Sequence, residues 1–579
     1  MLELLSPRED ALQTTRAVVH LLGRTLPGAT VRVAGVPVTV FATGVFARDG
    51  IALALGANPL LVEATLPDGR SLQRTWVVER VAPPRAADWP RDRLWLHGGT
   101  LRPDERLRAG PGEPVEVAVQ ATPGQTVEAR LSGQAWQTLV ESAAQKGRYQ
   151  AALLMPPDGS EASAPVQLRL LAPGATRRAR PRSINTQTPG EVGLWKADPQ
   201  RLWVVGPEGA DLVHGLHDVR LGGPYLAELP PGTLLQATGL RGEALRVQLS
   251  PDTTAWVATS SVAPAPAGTQ VPRAAVTSLA VSGSAEGDVL AIPLPAGVPY
   301  AVRCVSDARG VMQLQVEIFN AHHATTWITH RASARLVREV TAEQAGPGRV
   351  LLRVQLHAAR LWGWQAERLP GSLRITLRPT PLVADASRPL AGLSVALEPG
   401  HGGPTNLGAV GATGVPEKDI NRWTADALQA ELQAAGAQVV MVREGDDNPL
   451  PRERARRVSA SGAQLFVSVH ANATDTGGGF LRVAGTSTFY KHATARDAAA
   501  AVQRQMLAHT GLDDFGLVGN FNYTPIRLVT SMPAMLVEQA FMSHPGDEAR
   551  MLDPAFRATT ARAVRLGLED FLRAVQGGG

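Results

Sequence analysis

Four side chains in the C-terminal part of the chain are of the types that hold and use a metal ion: His401, Glu417, His470 and Glu538. Two imidazoles and one carboxylate are a known catalytic zinc set, because three protein ligands leave the fourth position open for water. A zinc ion lowers the pKa of its water from about 15.7 towards 7, so hydroxide becomes available at neutral pH. A further carboxylate is then needed to take the water's proton and pass it to a leaving nitrogen. His401, Glu417 and His470 fit the ligand role and Glu538 fits the acid/base role.

Such a set works only if the fold brings it together, and the sequence supplies elements that can. After Pro389 the pattern changes from strands and turns to alternating strand and helix. Leu393–Leu397 reads as an apolar strand. Ile420 to Ala435 has helical period and is closed by Gly436 at a C-cap site. Strand Gln438–Val442, a helix near Pro451–Ser459, strand Leu465–Val469, a helix at Ala495–Ala508, strand Ala534–Val537 and a final helix near Pro554–Ala574 follow. The alternation predicts an α/β domain with a mostly parallel sheet flanked by helices. In such a sheet ligands bind on the rim formed by the strand carboxyl ends. His401, in the loop Glu398-Pro-Gly-His-Gly-Gly403, follows one strand; His470 and Glu538 each follow another; Glu417 ends a Gly-rich loop before a helix. The glycines at 400, 402 and 403 let the backbone approach an ion without a Cβ clash.

The stretches LEPGHGG, GVPEKDIN, VVMVRE, LFVSVHAN and PAMLVEQAFMSH, in that order, resemble the motifs of the N-acetylmuramoyl-L-alanine amidase family with a zinc-bound His-Glu-His set. The resemblance implies that His401, Glu417 and His470 bind Zn2+ and that Glu538 is the catalytic acid/base. It implies a peptidoglycan hydrolase that cleaves the amide between N-acetylmuramic acid and L-alanine of the stem peptide. It also implies a periplasmic or extracellular place in the cell envelope, with peptidoglycan and other envelope or divisome components as partners. The rival readings are a wall endopeptidase and a non-catalytic or regulatory cell-wall-binding protein with a degenerate hydrolase domain. An intact ligand set argues against the latter.

Two positions depart from the family pattern. Glu398 stands where an aspartate is usual, and Ala540-Phe-Met-Ser-His544 replaces the usual Gly-Phe-x-Ser-Asn. Glu398 could hold a His401 ring nitrogen. His544 reads as a surface residue or a substrate contact, and His492 and His509 as structural or exposed. The interval from His470 to Glu538 must supply a strand, a helix and a loop, leaving little room for a large occluding helix.

The rest of the chain reads as β modules. At 579 residues the chain exceeds what one core supports. Residues 1–82 alternate with period two between glycine and proline punctuation and resemble bacterial immunoglobulin-like sandwiches. A second β-sandwich module is predicted over 88–172, with strands at Val115–Gln120, Thr126–Leu131 and Val166–Leu171. Pro173 to Glu191, rich in proline and arginine, reads as a linker. Residues 191–263 resemble an SH3-like β-barrel, and 272–380 an AMIN-like β domain; the catalytic domain occupies 391–579. The adjacent His322 and His323 point to opposite faces of a strand and so cannot easily share an ion.

Composition excludes several classes. With 44% hydrophobic and 19% charged residues the chain is neither disordered nor membrane-spanning, and no stretch approaches the ~20 apolar residues of a spanning helix. A net charge of +5 is spread along the chain, only four of the 57 basic residues are lysine, and no nucleic-acid motif is present. The single Cys304 forms no internal disulfide and reads as a buried, inert thiol. Met1 to Thr25 lacks the apolar core of a signal peptide.

Overall fold

The protein is described by a computed structural model covering residues 1–8, 11–82, 94–158, 161–172, 183–196, 202–217 and 221–577. The N-terminal part is built from antiparallel and mixed sheets, each closing over its own apolar cluster. Strands Glu3–Ser6, Val18–Arg24 and Val45–Ala52 form one sheet and face a five-stranded sheet that includes Gly56–Thr65 and Ser71–Arg80. Val33, Phe46, Val62 and Trp76 fill the space between them. Alternation explains the arrangement: in Thr30–Val33 the side chains are exposed and buried in strict turn. A second pair of sheets, over Ala274–Arg378, encloses Val281, Leu314, Leu352 and Ile375 among others.

One expectation fails here. The proline- and arginine-rich stretch read as a linker is a twelve-residue strand over its second half, Ser183–Leu194; residues 173–182 lie outside the described residues. Ser183–Leu194 pairs antiparallel with Ala164–Leu171 and parallel with Leu107–Ala109, which in turn pairs with Leu234–Arg241 of the β unit over Leu202–Pro264. Backbone hydrogen bonds need no apolar side chains, so a strand with one polar face carries little hydrophobic signal. Pro189 falls where the register shifts opposite Pro165 and Gln167, a place where a missing N–H costs no ladder bond.

The C-terminal domain alternates strand and helix: β1 (Ser394–Pro399), α1 (Glu417–Ala434), β2 (Gln438–Met441), α2 (Pro451–Ala460), β3 (Leu465–Asn472), β4 (Thr486–Tyr490), α3 (Arg496–Thr510), β5 (Asp514–Val518), α4 (Thr524–Leu528), β6 (Ala534–Phe541), α5 (Pro545–Leu552) and α6 (Pro554–Gly577). The sheet order is β2-β1-β3-β6-β4-β5. All pairings are parallel except β6 with β4. Every residue of β6, and all but the last of β3, is buried, as in strands covered on both faces. Helices α1, α6 and α3 pack side by side, and α2 packs on α4. Helix α1 buries Ile420, Thr424, Leu428 and Leu432 at i, i+4 spacing and stops before Gly436, which takes φ +89°.

The first β unit, the β unit over Leu202–Pro264 and the paired sheets over Ala274–Arg378 all touch this domain. Asp49 accepts from the backbone N–H groups of Phe480 and Leu481. Asp211 of the β unit over Leu202–Pro264 pairs with Arg452 of α2. Trp362 donates its indole N–H to the Gln464 carbonyl and stacks on Phe571 of α6. Among the described residues no helix is long and apolar enough to cross a membrane.

Candidate metal centre

At the end of β1 the chain turns through Gly400 and places His401 in the left-handed region, φ +61°. That conformation costs a non-glycine residue of order 1–3 kcal/mol and persists only where neighbours enforce it. Here Arg454 donates to the His401 carbonyl at 2.7 Å and Gly402 N–H donates to the Asn406 carbonyl at 3.0 Å. Gly400 is required for a different reason: a Cβ there would lie 2.3 Å from two atoms of the His470 ring. At Gly408, φ +71°, a Cβ would meet Glu417 Oε2 at 2.5 Å.

Glu417, the first residue of α1, reaches back under both histidines. Its Oε2 lies 3.1 Å from His401 Nε2 and its Oε1 3.1 Å from His470 Nδ1. The ligand atoms of the three residues all fall within 4.8 Å of one another, a group that could hold a metal ion. The opposite ring nitrogens fix the tautomers. Asn406 Nδ2 donates to Asn448 Oδ1, so its oxygen faces His401 Nδ1, at 2.8 Å, and accepts that N–H. Tyr523 donates its hydroxyl to Glu398 Oε1 at 3.1 Å, leaving its oxygen to accept from His470 Nε2, at 3.4 Å. Both rings thereby turn a lone-pair nitrogen towards the same point.

Electrostatics agrees with the geometry. Burial raises the Glu417 carboxyl, but the bonds and charges of His401 and His470 hold it well below the usual carboxylate range. Burial works against an imidazolium at His401, yet the hydrogen bond and charge of Glu417, with Asn406, lift it above the ordinary histidine value. Burial and the adjacent Glu398 push Tyr523 far up, so it stays a phenol and a donor.

Glu538 stands beside this group. The strands β3 and β6 run past the expected ends at Val469 and Val537, so His470 and Glu538 lie inside them rather than after them, directly paired in register. Paired residues of neighbouring strands face the same side, which puts the Glu538 carboxyl on the face that carries His470.

Glu398 does not hold His401, as its position suggested. It is fully buried and bound to Arg454 at 2.9 Å and to Tyr523, while Asn406 takes the His401 ring. The buried Arg454 guanidinium claims that carboxylate, and Asn406 already fills the free His401 ring nitrogen. His544 is a cap: its Nδ1 accepts from Asp547 N–H at the start of α5. Replacing it with alanine is expected to cost about 1 kcal/mol in chemical denaturation, with metal uptake unchanged. His492 is buried against the Arg527 carbonyl, His509 bonds Gln505, and His322 and His323 are exposed on one strand. Cys304 is buried, and burial pushes its thiol up to about 12. Helix α3 packs on α6 rather than across the histidines.

Asn406, Arg454 and Tyr523 are the polar residues that sequence reasoning missed. A buried arginine in the polar run Pro451–Val458 was the one available signal, since a helix that buries Arg454 must supply it with an acceptor.

The profile of the N-acetylmuramoyl-L-alanine amidase family matches residues 395–570. Among relatives, N-acetylmuramoyl-L-alanine amidase LytC of Bacillus subtilis is 28% identical over 194 residues, 34% of this chain and 38% of LytC. The uncharacterized protein YqiI of the same organism is 30% identical over 212 residues, 36% of this chain and 97% of YqiI. Its germination-specific N-acetylmuramoyl-L-alanine amidase is 29% identical, across 31% of this chain and 81% of the relative. Of solved structures, N-acetylmuramoyl-L-alanine amidase AmiC2 of Nostoc punctiforme is 28% identical and covers 31% of this chain and 98% of its own, with a TM-score of 0.29. The chain thus spans little more than a third of LytC, and the matched region is its own C-terminal third. Through that C-terminal domain the chain belongs to the N-acetylmuramoyl-L-alanine amidase family.

Proposed function

We propose that the chain is a zinc-dependent peptidoglycan hydrolase that cleaves the amide between N-acetylmuramic acid and L-alanine, with His401, Glu417 and His470 as ligands and Glu538 as acid/base. The observation that carries this reading is the convergence of one nitrogen from each imidazole on the two oxygens of a single buried carboxylate. Two nitrogens and a carboxylate suit zinc and leave one position open. When bound, the ion supplies Lewis acidity and a water of lowered pKa. Glu538 takes a proton from the attacking water and returns it to the departing nitrogen. The water's oxygen ends in the lactyl carboxylate, and L-alanine leaves with a free amino terminus. Asn406 and Tyr523 keep the two imidazoles in their ligating tautomers.

A digest of intact peptidoglycan tests the reading: free L-alanine amino termini should appear and should vanish on chelation. New termini on another residue would make the enzyme an endopeptidase. Wall binding without turnover under any metal supplement would make it a non-catalytic wall protein.

Metal uptake should depend on pH with a definite sign. Because His401 is raised, the apoprotein holds a proton there over a window above the ordinary value of ~6.5, and the ion must displace it. Apparent affinity is therefore expected to weaken as pH falls, the loss beginning above the ordinary histidine value of ~6.5, measured by competition with a chromophoric chelator.

The N-terminal units fit immunoglobulin-like, second sandwich, SH3-like and AMIN-like modules over 1–82, 88–172, 191–263 and 272–380. Their role in this reading is to hold the enzyme on the wall in the cell envelope, with peptidoglycan and envelope or divisome components as partners. The paired sheets around Trp76 and around Val117 support the sandwich assignments.

A further inference from the structure

A cleft of about 850 Å³ lies between the barrel and the C-terminal domain. Its inner wall is Asn522–Arg527 and the head of α2; its outer wall is Leu216, the Leu221–Gly223 loop and Trp256. Tyr523, whose hydroxyl lies 3.4 Å from His470 Nε2, is part of the inner wall, so the cleft passes behind the His470 imidazole and continues across the barrel. Its volume falls in the range of about 300–1,000 Å³ that binding sites occupy.

The outer wall is fastened in place. Arg452 of α2 is paired with Asp211 at 2.6 Å and with Glu228 of the barrel, and Arg527 with Asp211 at 2.8 Å. Asn522 donates to the carbonyl oxygens of Leu221 and Gly223, and Arg527 lies 4.4 Å over the Tyr225 ring. A module that merely tethers the enzyme to its substrate needs none of these contacts; a wall of the binding site needs its position fixed.

The chemistry of the lining selects among parts of the polymer. Stem peptides carry carboxylates and call for free cations. Among the described residues, the two arginines that line the cleft are both engaged, Arg527 by Asp211 and Arg241 by Glu105, and Glu105, Asp211 and Glu243 put carboxylates on the same lining. What is offered instead is the half-buried indole of Trp256 beside Leu216 and Leu221, the last of these 36% exposed. An aromatic and aliphatic surface suits the C–H face of a neutral amino sugar.

We propose that this cleft is a glycan subsite, in which the barrel holds amino sugars that flank the muramic acid whose amide is cut. The proposal rests on peptidoglycan being the substrate. The probe is an N-acetylglucosamine tetramer, which contains no stem peptide, titrated calorimetrically into the full chain and its variants. The tetramer is expected to bind, to lose about tenfold in affinity in Trp256→Ala and in Leu221→Ser, and to recover in Trp256→Tyr. In turnover, Trp256→Ala should raise KM about tenfold on long-glycan muropeptides, leave kcat in place, and leave a single-sugar muramoyl peptide unaffected. Absence of tetramer binding, or a KM effect that follows peptide length rather than glycan length, would overturn the subsite even with amide cleavage intact. Tetramer binding that is sensitive to Trp256 in a protein that cuts no muramoyl amide would leave the subsite standing and remove the amidase reading.

Discussion

Glu538→Gln is expected to lower the turnover of muramoyl amides by about 10²- to 10⁴-fold while the protein binds as much zinc as the parent chain. The reasoning is that Glu538 is not one of the three converging ligands. It stands on the next strand, 8% exposed and in register with His470, where it can pass a proton but need not hold the ion. An amide of the same size preserves the packing of β6 against β3 and removes only the ability to take and return that proton. The measurement is release of L-alanine amino termini from purified peptidoglycan, alongside metal content by elemental analysis. Loss of metal together with activity would reassign Glu538 to the ligand set. Retention of activity within a few fold would remove it from the chemistry.

The second large effect concerns stability rather than turnover. Arg454→Met should destabilise the C-terminal domain by about 3–5 kcal/mol, because removing one member of a buried pair leaves the other charge uncompensated. Arg454 and Glu398 have side chains only 2% and 0% exposed and meet at 2.9 Å. The same guanidinium also holds the carbonyl oxygens of His401 and Pro449, so its loss frees the strained turn at His401 as well. Urea denaturation of the full chain, followed at a probe in the C-terminal domain, gives the magnitude. Adding Glu398→Gln to the variant should recover part of it, since the orphaned charge is then gone. No recovery would show that the bonds to the turn, and not the charge pair, carry the cost.

Those two cases also mark what the sequence can and cannot say. That His401, Glu417 and His470 come together as a group that could hold a metal was legible because each sits near a change in hydrophobic pattern, close to the carboxyl end of an apolar strand or at the start of an amphipathic helix, and a parallel sheet sends such places to one rim. Helices α1, α2, α3 and α6 were legible, down to the glycine that ends α1, whereas the short α4 and α5 were not. The groups that orient the imidazoles were not. Tyr523 lies 3.4 Å from His470 but in a separate loop, and Asn406 carries no pattern that sets it apart from any loop asparagine. Glu398 was visible as a residue, yet its partner was misjudged, because the buried Arg454 that claims its carboxylate lies on a separate helix, a pairing that spacing does not encode. The strand Ser183–Leu194 was misread for a related reason: its order comes from backbone pairing on both edges, and a polar composition hides that.

That strand has a mechanical consequence. Since Ser183–Leu194 is laced to Ala164–Leu171 on one side and to Leu107–Ala109 on the other, and Leu107–Ala109 to the barrel, a pull on the second module does not first take up slack. It loads a ladder of hydrogen bonds side by side. The Trp256 wall is therefore clamped at both ends, by strand pairing to the module before it and by Arg452 and Asn522 to the catalytic domain, so a load on the earlier modules reaches the catalytic domain directly.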